Sequence, residues 1–299
     1  MRIPVGVVLV LAVPLARAEL CEAWSEPETT GTLDVRLLPE TSGMELSADG
    51  RRLYLINDGA RPTLYVAELN GTIVKQVAVT GFRSSDLEDL ALGPCADGTC
   101  LYFADIGDNA RRRRTVQIAV VAEEDEFGAE APVLHTIVAR YPDGPHDAES
   151  IAIHPTTGDL LLATKTQLGR INPTQLYRLT ATQLTSSDEQ VLEYVGDIPS
   201  ATFAAGTGLP NVATAMDISP DGTRLALLTY GTATEYAIDP ETTLPLFEDL
   251  SAGTTYQAVT TQMMIQAESI AYGADGRTLT YTTESIRGSP APLATNFCQ

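Results

Sequence analysis

The sequence contains few of the features that mark the common enzyme classes. It has only three histidines and four cysteines among 299 residues. It contains no G-x-S-x-G elbow, no H-E-x-x-H motif, no phosphate-binding P-loop and no paired C-x-x-C. These absences remove most of the support for a serine hydrolase, a zinc protease or a nucleotide-binding enzyme.

Basic residues are also scarce, with 19 Lys and Arg against 39 Asp and Glu, which gives a formal net charge of −20. Nucleic acids and anionic membrane surfaces both attract a basic protein face, so we expect neither as a partner. The acidic excess can serve solubility alone. It is also what acidic loops around a bound cation would produce.

Long apolar runs are missing except at the start of the chain. Met1 and Arg2 precede an apolar run over Ile3–Leu15, which ends in an A-x-A sequence at Ala18. This layout predicts a secretory signal peptide over residues 1–18, with a mature domain over 19–299 that is secreted or periplasmic. No other run reaches the length of a membrane-spanning helix, so we expect no membrane span.

The four cysteines of an exported chain predict two disulfides, for which three pairings exist. Cys95 and Cys100 flank one short turn, which favours a bridge within that hairpin. The remaining pair, Cys21 and Cys298, lies near the two ends of the mature chain. Their bridge requires those ends to meet in space.

Helical periodicity is nearly absent, and a strand, a Gly-containing turn and a second strand recur instead. The five copies of this layout are Ser42–Asp58, Glu88–Asp105, Asp147–Lys165, Thr214–Tyr230 and Glu268–Glu284. Such repetition indicates a repeat architecture. A third strand follows each of the first four pairs and a fourth often follows that, so each repeat is typical of a four-stranded antiparallel propeller blade.

We therefore predict an all-β fold, a single β-propeller of five blades. Six blades are the alternative, because 239–262 could contain a degenerate blade. The last repeat is short, whereas the strand Thr32–Leu38 has no blade of its own. We expect this N-terminal strand to complete the final blade and close the ring, with the Cys21–Cys298 bridge locking it.

Acidic residues fall at equivalent places in the repeats. The first position of each inner strand, called here the leading position, is occupied by Ser42, Glu88, Glu149, Thr214 and Glu268. In an antiparallel pair the start of one strand lies beside the end of the next, so Asp58 and Asp105 should lie at the same channel mouth.

Carboxylates brought that close need a cation or protons. We predict a metal site formed by Glu88, Glu149, Glu268, Asp105 and Asp58. An oxygen-only ligand set favours calcium over other divalent ions. The alternative is that each leading glutamate caps the backbone of the neighbouring blade.

Several basic groups are predicted at the same mouth. Arg111 and Arg112 follow the Asp105 loop and, with Lys165, could bind an anionic substrate. An arginine run is also typical of a solvated loop, and Lys165 could instead neutralise its glutamate neighbours. His146 precedes the Glu149 strand and is a candidate general base, although a lone histidine in a Pro/Gly loop can be incidental.

The repeats resemble known exported propellers. The segment TSGMELSADGRRLYLIND at Thr41–Asp58, with the following LYVAELNG and LEDLAL, resembles the SdiA-regulated family. DAESIAI and QAESIAY are similar to repeats of esterase-like phytase-family propellers, and more distantly of gluconolactonase-type and paraoxonase-type calcium propellers. The resemblance implies a propeller with an acidic calcium-type centre. The calcium lactonases pair their acids with channel asparagines, for which Asn57 and Asn109 are the candidates here.

Together these observations predict an exported, monomeric β-propeller that binds calcium at one mouth and acts as a binding module for a small molecule or an envelope or extracellular partner. The alternative function is metal-dependent hydrolysis of esters, phosphoesters or lactones. In that case the metal would polarise the substrate and His146 would transfer the proton.

Overall fold

A computed structural model describes residues 19–165, 173–199, 212–248 and 254–299. The predicted signal peptide, residues 1–18, lies outside the described residues. Among the described helices, none is both long enough and apolar enough to span a bilayer. The fold is almost entirely β.

The strands follow one another along the described chain with little helix between them. Their bounds are β1 Glu28–Leu33, β2 Thr41–Leu46, β3 Leu53–Asn57, β4 Thr63–Ala67, β5 Ile73–Thr80, β6 Leu87–Cys95, β7 Gly98–Asp105, β8 Val116–Ala122, β9 Glu130–Arg140, β10 Ala148–Ile153, β11 Leu160–Thr164, β12 Thr174–Leu179, β13 Gln190–Val191, β14 Glu193–Ile198, β15 Ala213–Ile218, β16 Arg224–Thr229, β17 Ala233–Ala237, β18 Tyr256–Val259, β19 Ala267–Tyr272, β20 Thr278–Thr283 and β21 Ala291–Phe297. The helices are α1 Ala181–Leu184 and a 3₁₀ turn at Ile286–Gly288.

These strands form four-stranded antiparallel units. The units are β2-β3-β4-β5, β6-β7-β8-β9, β10-β11-β12-β14, β15-β16-β17-β18 and β19-β20-β21-β1, and a parallel pairing of β5 with β9 joins the first two into one larger sheet. The inner strands β2, β6, β10, β15 and β19 contact one another in cyclic order and so surround a channel. The predicted all-β propeller is confirmed. The blade count stays a prediction, since 200–211 and 249–253 lie outside the described residues.

The inner strands are apolar because both of their faces are covered by neighbouring units. All six residues of β10 and of β15 are buried. The core therefore lies between units, as where Ile118 of β8 and Ile151 of β10 belong to one apolar cluster. Each buried side chain of this size contributes about 1.5–3 kcal/mol relative to exposure, which holds adjacent units together.

The turns between the first and second strands repeat because their chemistry repeats. Gly50 and Gly222 adopt φ of 71°, a left-handed conformation that favours glycine. In these two turns a serine hydroxyl donates to the aspartate two residues later, with distances of 2.7 Å for Ser47 to Asp49 and 2.6 Å for Ser219 to Asp221. These turns lie at the end of the channel opposite the leading positions.

The ring closes as predicted, through an N-terminal strand, but this strand lies a few residues earlier in the chain than predicted. β1 pairs with β21, and disulfides join Cys21 to Cys298 and Cys95 to Cys100, so both favoured pairings are confirmed. The strand predicted over Thr32–Leu38 instead occupies Glu28–Leu33. Its predicted second half is a turn, because the Leu37 amide donates to the Asp34 carbonyl at 2.9 Å.

Candidate functional site

Each leading position lies at a bulge in its inner strand. In all five units the pairing of the first and second strands skips one residue after the first pair, for example between Leu87 and Asp89 in β6. The skipped residues are Ser42, Glu88, Glu149, Thr214 and Glu268. A bulge re-aims the side chain of its extra residue. The repeated bulge therefore creates five equivalent sites at one channel mouth.

The hydroxyl residues at these positions link neighbouring units. Ser42 donates to the Glu88 carbonyl at 2.5 Å, and Thr214 donates to the Ala267 carbonyl at 2.6 Å. The glutamates are just as buried, with 3–5% of each residue exposed. Within the described ranges, however, no backbone N–H donates to their carboxylates. The interpretation of the glutamates as caps of the neighbouring blade has no such hydrogen bond to support it.

Three carboxylates converge at this mouth. Asp58 follows β3, Asp86 lies in the loop before β6, and Glu88 is the leading residue of β6. One oxygen from each lies within 4.8 Å of the other two. Calcium–oxygen distances are about 2.3–2.6 Å, so two ligands of one calcium ion lie no more than about 5 Å apart. The three oxygens therefore satisfy the spacing that one ion requires.

Gly107 forms part of the wall of this group. A Cβ added to Gly107 would lie within 3.0 Å of both Glu88 Oε1 and Asp86 Oδ2. The Gly107 amide also donates to the Asp86 carbonyl at 3.2 Å. The close approach of backbone to carboxylates at this point therefore requires glycine.

Lys165 lies among the other two leading glutamates. Its Nζ is 2.7 Å from Glu149 Oε1 and 5.7 Å from the centre of the Tyr230 ring. Glu268 is 3% exposed, and its Oε2 has no hydrogen-bond partner among the described residues. This buried oxygen is thus left without the partner that such atoms normally have.

The mouth carries more negative charge than its lysine can neutralise. Seven carboxylates have the Lys165 ammonium in their electrostatic surroundings, namely Asp58, Asp86, Glu88, Asp147, Glu149, Glu268 and Glu284. Burial works against the charge on Lys165, but Glu149 and Glu268 outweigh it and raise the pKa of its ammonium. Arg113 also acts on Asp86 and Arg111 on Asp147. Three cationic groups thus face seven carboxylates, and the remaining acids need protons or a further cation.

The pKa values of the acids reflect this crowding. Burial, followed by the charge of Glu149, raises the pKa of Glu88 well above its usual value. Burial, then Asp86, raises the pKa of Asp58 to about 6. Burial raises the pKa of Glu149 to about 7 against the favourable charge of Lys165. Without a cation, folding this mouth therefore favours protonated carboxyls.

Asp105, a predicted ligand, has a different environment. Its Oδ1 accepts hydrogen bonds from the Ser85 and Asp86 amides at 3.0 and 2.9 Å, and Arg113 contacts both of its oxygens at 2.9 and 2.8 Å. The structure therefore places Asp105 beneath the loop that carries Asp86, outside the group of three. Asp147 has a similar scaffolding contact, since its Oδ1 accepts the Asp108 amide at 2.8 Å.

The predicted base and anion-binding residues lie in two places. His146, Arg111 and Lys165 line one cavity of about 330 Å³. His146 Nε2 is 3.0 Å from Asp143 Oδ1 and 3.2 Å from the Tyr177 hydroxyl. Arg112 is exposed and lines a separate surface groove. The structure therefore joins Arg111 and His146 to the Lys165 side of the mouth and leaves Arg112 apart.

Three further residues bear on how well the mouth was predicted. Asp86 was not predicted, although it stands two residues before Glu88, as Asp147 stands two residues before Glu149; aligning that position would have found it. The side chain of Asn57 makes structural hydrogen bonds to the backbone: its Nδ2 donates to the Leu37 carbonyl at 2.8 Å, and its Oδ1 accepts from the Glu40 amide at 3.1 Å. Asn109 is exposed.

A second layer of acids lies deeper in the channel. Asp89 accepts the Leu90 amide of its own strand and the Ile151 amide of the next unit, both at 2.8 Å. Asp217 does the same with Ile218 and Tyr272 at 2.6 and 2.7 Å. Glu45 follows this pattern with Leu46 and Leu92 at 3.0 and 3.2 Å. These three acids link adjacent inner strands.

Comparison with known proteins gives distant likenesses only. No protein-family model matches the chain, and no curated protein matches it. The Dos1 propeller shares 12% identity and a TM-score of 0.40 over 85% of this chain, which spans 57% of the length of the Dos1 chain. A calcium structure of a Trichoderma reesei carbohydrate-active enzyme of family AA12 shares 11% identity and a TM-score of 0.48, covering 97% of this chain and 99% of the other.

The soluble aldose sugar dehydrogenase (Asd) from Escherichia coli, in its apo form, shares 11% identity and a TM-score of 0.49, covering 93% of this chain and 100% of the other. Likenesses at this level assign neither ligand nor activity. The propeller fold follows from the strand pairing, and the resemblance to SdiA-regulated and esterase-like phytase propellers stays a prediction.

Proposed function

We propose that the acidic channel mouth binds a divalent cation, with calcium as the favoured ion. Asp58, Asp86 and Glu88 would hold it. The observation that carries the proposal is their geometry: three carboxylate oxygens from three segments lie within 4.8 Å of one another. All of the donors are hard oxygens, which suit calcium better than the softer transition metals.

The charge balance of the mouth supports the same conclusion. Lys165 forms its ion pair with Glu149 at 2.7 Å, so it acts on Asp58, Asp86 and Glu88 only through its electrostatic field. The unpartnered Oε2 of Glu268 shows that acidic oxygens remain without donors. A divalent cation would supply the positive charge that the described side chains lack, and it would let the carboxyls ionise at neutral pH.

The protein would then act as a calcium-dependent binding module for a small molecule or an extracellular or envelope partner. The two disulfides agree with an oxidising compartment, where such bridges persist. Export through the predicted signal peptide, the monomeric state and the exclusion of nucleic acids remain predictions.

Isothermal titration of chelator-treated protein, residues 19–299, with calcium chloride tests the proposal. We expect saturable binding that weakens at least tenfold in Glu88→Gln and in Asp86→Asn. Asp97→Asn, which changes an exposed acid on the opposite face, is the matched control and should bind as the wild type does. Equal calcium binding in all four proteins, or none in the wild type, would overturn the proposal.

The alternative function, metal-dependent hydrolysis, has one observation in its favour. His146, Arg111 and Lys165 line a single cavity of about 330 Å³ beside the acidic mouth. A substrate there would have an imidazole and two cationic groups within reach. Lactone and phosphoester substrates, assayed with calcium, would test this. Turnover that is abolished in both His146→Gln and Glu88→Gln would favour the hydrolase over the binding module.

A further inference from the structure

A second cavity lies at the other end of the channel, where the turns between first and second strands meet. Its volume is about 310 Å³, at the small end of the range for ligand pockets. All five units contribute to its lining, through residues such as Glu45, Leu92, Ile153, Asp217 and Tyr272. It is therefore centred on the channel and does not belong to one blade.

The walls of this cavity combine apolar and polar surface, with the apolar part slightly the larger. Leu92, Ile153 and Ile218 line its sides, and prolines lie around its rim at Pro94, Pro155 and Pro220. These apolar side chains favour a ligand with an organic body, which can pack against them in a way that a hydrated inorganic ion cannot.

Two carboxylates lie among these walls. Glu45 and Asp217 both line the cavity and are more than nine-tenths buried, at 7% and 8% exposed. Each of their four oxygens accepts one backbone N–H, so each retains a further acceptor site. In the described part of the chain, no lysine or arginine forms an ion pair with either group.

We propose that this cavity binds a small organic ammonium ion whose charged nitrogen contacts Glu45 and Asp217 and whose apolar body packs against Leu92, Ile153 and Ile218. An ammonium group carries several N–H donors that match the remaining acceptor sites of the two carboxylates. The proposal concerns the turn end of the channel and does not depend on calcium binding at the opposite mouth.

The electrostatics of the pair support this assignment. Burial raises the pKa of Asp217 to about 7. Burial, together with the charge of Asp217, raises the pKa of Glu45 well above its usual value. A cation between the two groups would offset both effects. A bound cation would therefore stabilise the ionised form of each carboxylate, which no described lysine or arginine does through an ion pair.

The test is a titration of the disulfide-bonded protein at pH 8 with cyclohexylamine, and in parallel with cyclohexanol, which has the same ring without the charge. NMR of ¹⁵N-labelled protein reads the amide shifts of Leu92, Ile218 and Tyr272. We expect saturable shifts with the amine and at least tenfold weaker binding of the alcohol. Equal binding of both compounds, or of neither, would overturn the proposal.

Two sets of variants locate the binding. Glu45→Gln and Asp217→Asn should each weaken amine binding at least tenfold, whereas Glu88→Gln at the opposite mouth should leave it unchanged. If the carboxylate variants fail to fold, Ala48→Trp decides, because Ala48 is exposed at the rim of the cavity and a tryptophan there should block entry. Unchanged amine binding in Ala48→Trp, or loss of amine binding in Glu88→Gln alone, would contradict the assignment.

Discussion

The five leading positions share one backbone geometry but have two kinds of side chain. Ser42 and Thr214 each donate a hydrogen bond from the hydroxyl to a carbonyl of the neighbouring unit. Glu88, Glu149 and Glu268 are equally buried, yet no described backbone donor contacts their carboxylates. The bulge thus sets where the side chain lies. A hydroxyl side chain there links neighbouring units, whereas a glutamate places a carboxylate at the channel mouth. A backbone geometry that recurs in every unit can therefore form a binding site in only some of them.

The largest expected effect that separates the two kinds of position is pH dependence. The pKa of Glu149 rises from 4.5 to about 7 and that of Asp58 from 3.8 to about 6. Because the folded state then binds protons more tightly than the unfolded state, stability in chelator should fall as pH rises from about 4 to 7. One pKa unit corresponds to about 1.4 kcal/mol, so the buried Glu149 alone accounts for a fall on the order of 3 kcal/mol. The half-exposed Asp58 adds less than its shift implies, because solvent screens it.

Urea unfolding of chelator-treated protein across that pH range measures this effect. Glu149→Gln should flatten the slope, and Thr214→Val, which changes a hydroxyl position, should shift the curve without altering its slope. A stability that rises with pH from 4 to 7 would contradict the raised pKa values, because it would mean that the folded protein favours the ionised carboxylates.

The next largest effect should come from Gly107→Ala. The added Cβ would lie within 3.0 Å of carboxylate oxygens of Glu88 and Asp86, and φ at this glycine is not in the left-handed region. Overpacking of this kind costs about 1–3 kcal/mol. We expect calcium affinity to fall by about tenfold or more, measured by calorimetry. Gly196→Ala, at a strand position where φ is not positive and no atom lies near the added Cβ, is the control for calcium affinity, and equal affinities in the two variants would contradict the geometry.

Substitutions at the two kinds of leading position should change the free energy of unfolding in opposite directions. Thr214→Ala leaves the Ala267 carbonyl without its donor and should destabilise the protein by about 1–3 kcal/mol, with calcium affinity unchanged. Glu268→Gln removes a buried charge whose Oε2 lacks a partner, so it should stabilise the calcium-free protein. Denaturant unfolding in chelator measures both variants. Destabilisation by Glu268→Gln of the same size as that by Thr214→Ala would restore the capping interpretation.

The smallest expected effect concerns Lys165. Its ammonium competes with a metal for the same carboxylates, since Asp58, Asp86 and Glu88 all have it in their surroundings. Lys165→Met should therefore tighten calcium binding severalfold, while losing the pair with Glu149. Calorimetry at two salt concentrations measures the change. Weaker calcium binding in this variant would mean that Lys165 positions the site instead of competing for it.

Much of this molecule is predictable from sequence because its repeats are local. The Asp-Gly turns, the leading glutamates and the closing disulfide all follow from patterns within one repeat or from the two chain ends. The strand β1 was misplaced by a few residues because its first five residues, 28–32, are polar or glycine and mostly exposed, so alternation gives no signal there. The one-turn helix α1 was missed, although Thr180 and Gln183 form its capping box.

The site was harder to predict because it depends on contacts between loops. Asp105 follows β7 as expected, but Arg113, eight residues later, returns to pair with it, and no spacing rule predicts that return. Asp86 joins Glu88 because the Gly107 loop approaches without a side chain. His146 lies at the expected loop, and its partner Asp143 is in the same loop. Its hydrogen bond to Tyr177 depends on a strand of the same unit that lies 31 residues further on.

The central claim is that Asp58, Asp86 and Glu88 hold one calcium ion. Anomalous diffraction from crystals of the protein grown with calcium tests it most directly. We expect one anomalous peak at about 2.3–2.6 Å from a carboxylate oxygen of each of the three residues. A map with no peak there, and with the Lys165 ammonium or a shared proton joining those carboxylates, would contradict it.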